Sequence, residues 1–142
     1  MNIGFIGLGI MGAPMALHLE SAGHQLFVKT RSKVPDSIAA SKAKVCASAQ
    51  EVARQSEIIF LMVPDTPDVE AVLSGDGGVA AGLKAGGAGA RKVVADMSSI
   101  SPMATKQFAK KINEAGADYM DAPVSGGEVG AKAASLTIMC GG

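Results

Sequence analysis

The feature that most constrains this chain is a glycine pattern set between two kinds of periodicity. Residues 2–6 form a short apolar run, as a strand buried on both faces requires, and Gly7-Leu8-Gly9-Ile10-Met11-Gly12 follows at once. Beyond it, Met11, Met15 and Leu19 recur at helical spacing as far as Gly23, which predicts a helix with Gly23 as its stop. Pro14 falls in the first turn, where a helix N–H has no intrahelical acceptor to lose. A G-x-G-x-x-G that closes a strand and opens a helix, within a βαβ unit of about 30 residues, is a dinucleotide-binding pattern. Gly7 permits the tight turn, Gly9 lets a pyrophosphate approach the main chain, and Gly12 lets helix pack on strand. The helix N-terminus adds free N–H groups and partial positive charge. Gly7, Leu8, Gly9, Ile10, Met11 and Gly12 are therefore candidate cofactor-binding residues.

The alternation continues along the chain. A strand is predicted over 25–30, a short helix over 35–40 and a brief strand over 44–47. Ser48 and Glu51 have capping-box spacing and open a helix over 50–55. The strongest strand signal is 57–63, where six apolar residues in succession run into Pro64. Thr66-Pro67 reads as an N-cap with proline at the first helical position, giving a helix to about Leu73. Residues 75–89 are Gly/Ala-rich, and with Gly86, Gly87 and Gly89 they are expected to form a loop. A strand over 92–97 follows. Ser101-Pro102 repeats the cap-and-proline device, opening a helix to Ala115 with Gly116 as its stop. Strands over 118–122 and 136–140, separated by a loop over 123–134, complete the chain.

Strands that alternate with helices across short loops require right-handed crossovers. The expected fold class is thus α/β: a Rossmann-type, doubly wound, mostly parallel sheet with helices on both faces, forming one NAD(P)-binding domain over residues 1–142. Ligands in such sheets lie beyond the carboxyl ends of the strands.

Composition narrows the partners. Thirteen Lys plus Arg balance thirteen Asp plus Glu, which leaves no basic field for a phosphate backbone and argues against nucleic acid. No apolar run reaches the about 18 residues of a membrane span, and the start of the chain lacks a basic, signal-like segment. A cytoplasmic location without membrane partners is the corresponding expectation. Cys46 and Cys140 have neither zinc-ligand nor C-x-x-C spacing, so both are expected as buried free thiols and no metal site is predicted.

The residues after each predicted strand carry the remaining chemistry. After the second, a carboxylate for the ribose hydroxyls of NAD is missing; Lys29-Thr30-Arg31-Ser32-Lys33 stands there instead. Arg31 can hold a 2′-phosphate bidentately, which favours NADP(H) over NAD(H). Val63-Pro64-Asp65 can present backbone groups to a dinucleotide. Asp96-Met97-Ser98-Ser99 can present hydroxyls, because Ser101 is the better-placed cap and leaves Ser98 and Ser99 free, though at Ser99 a structural role has equal claim. In Asp121-Ala122-Pro123-Val124-Ser125-Gly126-Gly127, backbone N–H groups at paired glycines and the Ser125 hydroxyl can hold a substrate carboxylate, though a plain turn has equal claim. His18 and His24 follow no strand end and read as structural or surface residues.

Together these segments resemble the β-hydroxyacid dehydrogenase family. The opening Gly4-Phe5-Ile6-Gly7-Leu8-Gly9-Ile10-Met11-Gly12 resembles its cofactor signature, and Asp121 to Gly127 its substrate motif. Met62-Val63-Pro64-Asp65-Thr66-Pro67 and Asp96-Met97-Ser98-Ser99-Ile100-Ser101-Pro102 are most similar to members that reduce 2-hydroxy-3-oxopropanoate to glycerate. The resemblance implies that Val63, Pro64 and Ser99 contact the cofactor near its nicotinamide end, and that Ser125, Gly126 and Gly127 hold the substrate carboxylate. It implies hydride transfer from NAD(P)H to an aldehyde carbon, with a proton from a donor group. In the family that donor is a lysine on a long helix after the nucleotide-binding domain. The chain reaches Gly141-Gly142 before such a helix, so no catalytic residue is assigned here, and an amino-terminal half of a homo-oligomeric enzyme is expected. Lys106, Lys110, Lys111 and Lys132 read as solvated charges. Ala134-Ser135 departs from the family's usual Gly-Thr, and the glycines near Gly86 to Gly89 lengthen a loop. Two other readings stay open: a 3-hydroxyisobutyrate dehydrogenase or related enzyme, and a non-catalytic NADP(H)-binding module.

Overall fold

The computed structural model describes residues 1–31, 33–84, 92–98 and 102–141. Six parallel strands form one sheet: β1 (Asn2–Ile6), β2 (Gln25–Lys29), β3 (Lys44–Val45), β4 (Ile58–Leu61), β5 (Val93–Asp96) and β6 (Asp118–Asp121). Their spatial order is β3-β2-β1-β4-β5-β6, so the direction of winding reverses between β1 and β4. That reversal opens a crevice at the carboxyl edge of the sheet. The helices are α1 (Gly12–Ser21), α2 (Asp36–Ala39), α3 (Ala49–Gln55), α4 (Thr66–Ser74), α5 (Val79–Lys84), α6 (Pro102–Glu114) and α7 (Gly127–Ala133). Strands β7 (Val124–Ser125) and β8 (Thr137–Ile138) pair antiparallel, apart from the main sheet.

Side chains alternate between two cores, as the two-residue period of a strand dictates. Ile3, Phe5, Leu26 and Val28 pack on one face with Ala13, Met15 and Ala16 of α1; Ile6, Phe27, Ile59, Leu61 and Val94 pack on the other with Val52, Val69, Leu73, Phe108 and Ile112. Both faces of the central strands are covered, and a continuous apolar run such as 58–61 is the result. The doubly wound fold expected from the sequence is present.

Several local expectations are corrected. The stretch 75–89 was expected as loop, yet α5 begins at Val79 inside it. Its Gly82 is what conceals it: a Cβ there would run into the main chain of α3 at Gln50, so close helix contact demands the residue that also reads as a loop former. The loop over 123–134 likewise contains β7 and α7, and the strand over 136–140 shrinks to β8, outside the parallel sheet. Ser48 accepts the Glu51 N–H at 3.2 Å, but the Glu51 carboxylate accepts from Arg54 and Gln55 instead of returning to Ser48. Asp65, not Thr66, caps α4: its carboxylate accepts from the Thr66 N–H at 2.7 Å, while Asp68 reaches back to the Asp65 N–H at 3.1 Å. An ionised carboxylate at a helix start outcompetes a neutral hydroxyl. Both cysteines are free thiols, Cys46 buried as expected and Cys140 exposed against expectation, because it follows β8 at the surface. The loop glycines Gly86, Gly87 and Gly89 and the cap Ser101 lie outside the described residues. Among the described residues no helix is long and apolar enough to cross a membrane.

Candidate functional site

A cleft of about 770 Å³ opens at the β1/β4 reversal. Its floor is the turn from β1 to α1, residues 7–12, and its walls are the ends of β2 and β4 and one side of α4. Gly7 sits at φ +102°, a conformation that favours glycine, and a Cβ on it would strike the Met62 carbonyl oxygen of β4's end. At Gly12 a Cβ would meet the Gly7 carbonyl oxygen and lie 3.3 Å from the Phe5 ring, so helix and strand touch through the missing side chain. Gly9 differs from both. It is exposed, and the space its Cβ would occupy is open. The turn is packed on its inner side and bare on its outer side, which fits a diphosphate laid against main chain.

Of the predicted cofactor residues, Gly7, Leu8, Gly9, Ile10, Met11, Gly12, Arg31, Val63 and Pro64 all line this one cleft. Within the turn, Leu8 is 3% exposed and anchors the loop in the core, whereas Ile10 is 69% exposed and faces solvent. Ser99 lies outside the described residues. Ser125, Gly126 and Gly127 are exposed where β7 leads into α7, and they are not among the residues lining the cleft. Gly126 (φ +132°) and Gly127 (φ +59°) turn the chain into that helix. His18 is structural: its Nε2 lies 2.8 Å from the Ala131 carbonyl oxygen and 2.9 Å from that of Lys132, so this nitrogen carries the proton and donates to the last carbonyls of α7. Lys106, Lys110, Lys111 and Lys132 are exposed, and Lys132 pairs with Glu128 at 2.7 Å.

A buried polar chain behind the cleft was not evident from the sequence. Asp96, at the end of β5, is fully buried and accepts from the Tyr119 hydroxyl at 2.7 Å and the Ser98 N–H at 3.0 Å. The Ser98 hydroxyl accepts the Val63 N–H at 3.0 Å. Ser98 is therefore not free to face a ligand, as the sequence suggested; it ties the loop after β4 to the loop after β5. Burial raises the Asp96 carboxyl above the usual carboxylate range, and the hydrogen bonds from Tyr119 and Ser98 pull partly against it. Burial and the neighbouring carboxylate push the Tyr119 phenol strongly upward, so it stays protonated as the donor.

A second unforeseen member is Asp68 on α4. It lines the cleft and its Oδ1 lies 2.7 Å from Arg31 Nη1. The D-x-x-D spacing from Asp65 to Asp68, a capping pattern, was the available signal.

The family model for the NAD binding domain of 6-phosphogluconate dehydrogenase matches residues 2–142. The chain is 54% identical over 143 residues to the 2-hydroxy-3-oxopropionate reductase of Escherichia coli (strain K12), a match that covers 100% of this chain and 47% of that protein. It superposes on Mycobacterium tuberculosis 3-hydroxyisobutyrate dehydrogenase, solved with L-serine, at a TM-score of 0.85 and 32% identity, covering 99% of this chain and 46% of that one. A complex of Psf3 with NADP+ and 2-OPP gives a TM-score of 0.84 at 28% identity, covering 97% and 48% of the two chains. The chain thus spans about half the length of the relatives it matches. A cleft at the β1/β4 reversal and matches along the whole chain agree: the chain belongs to the family of the NAD binding domain of 6-phosphogluconate dehydrogenase, among the β-hydroxyacid dehydrogenases.

Proposed function

We propose that this chain supplies the cofactor-binding half of an NADP(H)-dependent reductase that converts 2-hydroxy-3-oxopropanoate to glycerate. The observation that carries the reading is the turn at residues 7–12, closed on its core side and open at Gly9 toward the cleft. Residues 7–12 would hold the diphosphate through main-chain N–H groups, and Arg31 would hold the 2′-phosphate. Val63 and Pro64 would border the nicotinamide, their loop held by Ser98. A bound reduced nicotinamide would supply the hydride that the aldehyde carbon needs, and with a proton on its oxygen that carbon would become the primary alcohol of glycerate. Ser125, Gly126 and Gly127 would hold the substrate carboxylate, and Ser99 would contact the cofactor. The proton comes from a lysine outside residues 1–142, as the family resemblance implies.

The substrate assignment draws on the 54% identity to the Escherichia coli reductase. A second reading, oxidation of 3-hydroxyisobutyrate, draws on the likeness to the Mycobacterium tuberculosis dehydrogenase. Calorimetric titration with NADPH and NADH tests the cleft: binding of both, NADPH the tighter, is expected, and no binding of either overturns the reading. Turnover by this chain alone with 2-hydroxy-3-oxopropanoate is expected to be absent. Following NADPH consumption when the remaining half is supplied, with each candidate aldehyde, decides the substrate.

A further inference from the structure

The Arg31–Asp68 ion pair crosses the cleft from the end of β2 to α4. Asp68 is held from behind, because its Oδ2 accepts the Asp65 N–H at 3.1 Å in the cap of α4. Its side chain is 20% exposed and that of Arg31 78%, so the carboxylate is the fixed partner and the guanidinium the movable one. A pair this open to solvent adds little to stability. Its effect falls on whatever enters the cleft beside Arg31. Asp68 engages Arg31 at Nη1, so a 2′-phosphate must share the guanidinium with a carboxylate that already neutralises part of its charge, and it meets a like charge while doing so. A ribose 2′-hydroxyl carries no charge to be repelled and can donate to the carboxylate. The second strand lacks the acidic residue that serves this purpose in NAD-binding folds, and α4 delivers a carboxylate to the same corner.

We propose that Asp68 is a specificity-determining residue that moderates the cleft's preference for a 2′-phosphorylated dinucleotide, by competing for Arg31 and by offering an acceptor to a 2′-hydroxyl. This rests on the reading in which Arg31 faces the 2′ position. Asp68→Asn removes the charge and keeps an oxygen to accept the Asp65 N–H, so the cap of α4 survives. Dissociation constants for NADPH and NADH would be measured for the native protein, Asp68→Asn, Arg31→Met and the double variant. Asp68→Asn is expected to raise the NADPH/NADH affinity ratio by about tenfold, the scale of one released charge-assisted hydrogen bond. Arg31→Met should lower the ratio, and adding Asp68→Asn to it should raise it by less than in the native background, because the competition for Arg31 is gone while the repulsion and the 2′-hydroxyl acceptor remain. A ratio that Arg31→Met lowers but Asp68→Asn leaves level or reduces overturns the inference alone, as does a gain from Asp68→Asn that is no smaller without Arg31. A ratio unmoved by Arg31→Met brings down the reading of Arg31 and this inference with it.

Discussion

Tyr119 donates its phenolic hydrogen to Asp96 at 2.7 Å, joining adjacent strands β6 and β5 where solvent does not reach the carboxylate. Asp96 in turn holds the Ser98 N–H, and Ser98 accepts from Val63 at the cleft. The edge of the sheet that faces the cleft is therefore braced from behind by three polar side chains in series.

Tyr119→Phe leaves the buried carboxylate without its hydroxyl donor. A hydrogen bond to a charged group contributes about 1.5–3 kcal/mol, so urea unfolding near neutral pH should show a loss of that order. The loss should shrink in acid, where Asp96 is protonated. A variant as stable as the native protein at neutral pH would contradict the assignment.

The pH dependence has a definite sign. Asp96 holds its proton more tightly folded than unfolded, so its contribution to stability is fully present below the ordinary carboxylate pKa and is lost as pH rises through the raised folded value. The Asp121 carboxyl is raised too, by burial and then by the Asp96 charge, and acts in the same direction. Asp96→Asn should therefore gain stability relative to the native protein as pH is raised from about 4 to about 8 in urea titrations. Parallel curves would show that burial of Asp96 has no energetic consequence.

Ser98→Ala removes the acceptor of the half-buried Val63 N–H. The expected cost is about 1–2 kcal/mol of stability, with nucleotide affinity reduced a few-fold as the loop after β4 loosens. Equilibrium unfolding and calorimetry on one preparation give both numbers.

The glycines separate folding from binding. Gly9→Ala adds a methyl into open space, so thermal unfolding should change little, by about 0.5 kcal/mol or less, while NADPH affinity falls by about tenfold or more as the methyl displaces the diphosphate. Gly12→Ala drives a methyl into the Gly7 carbonyl and should destabilise the fold itself. Unimpaired NADPH binding by Gly9→Ala would remove the diphosphate from this turn.

Arg31→Asp should weaken NADPH binding by about tenfold or more and NADH binding much less, since only the former carries a 2′-phosphate to meet the reversed charge. Equal losses in a paired titration would reject NADP(H) selectivity through this residue.

Much of the fold was legible because the parallel strands carry their own signature. The apolar runs at 2–6 and 58–61 have no polar face, and only a sheet covered on both sides accommodates them. The turn at Gly7 to Gly12 was legible because tight backbone contact excludes every other residue type at Gly7 and Gly12. The obscured features arise where one residue type serves two ends. Gly82 and Gly130 lie in helices at close contacts, with α3 and with Leu136 respectively, and glycine in sequence reads as loop. The Tyr119–Asp96–Ser98 chain joins β6, β5 and the loop after β5, and only the β5–β6 register, with Tyr119 opposite Val94 and Asp121 opposite Asp96, brings Tyr119 diagonally within reach of Asp96. Asp68 was hidden for a related reason: its partner Arg31 lies across the crevice, on another element.

Helix α1 begins at Gly12, where the diphosphate would rest, and two turns later its His18 clasps the end of α7. A ten-residue helix is a stiff rod over such a span. The His18 bonds therefore tether α7, and the exposed Gly126-Gly127 turn that leads into it, to the same helix whose first residues close the cofactor turn.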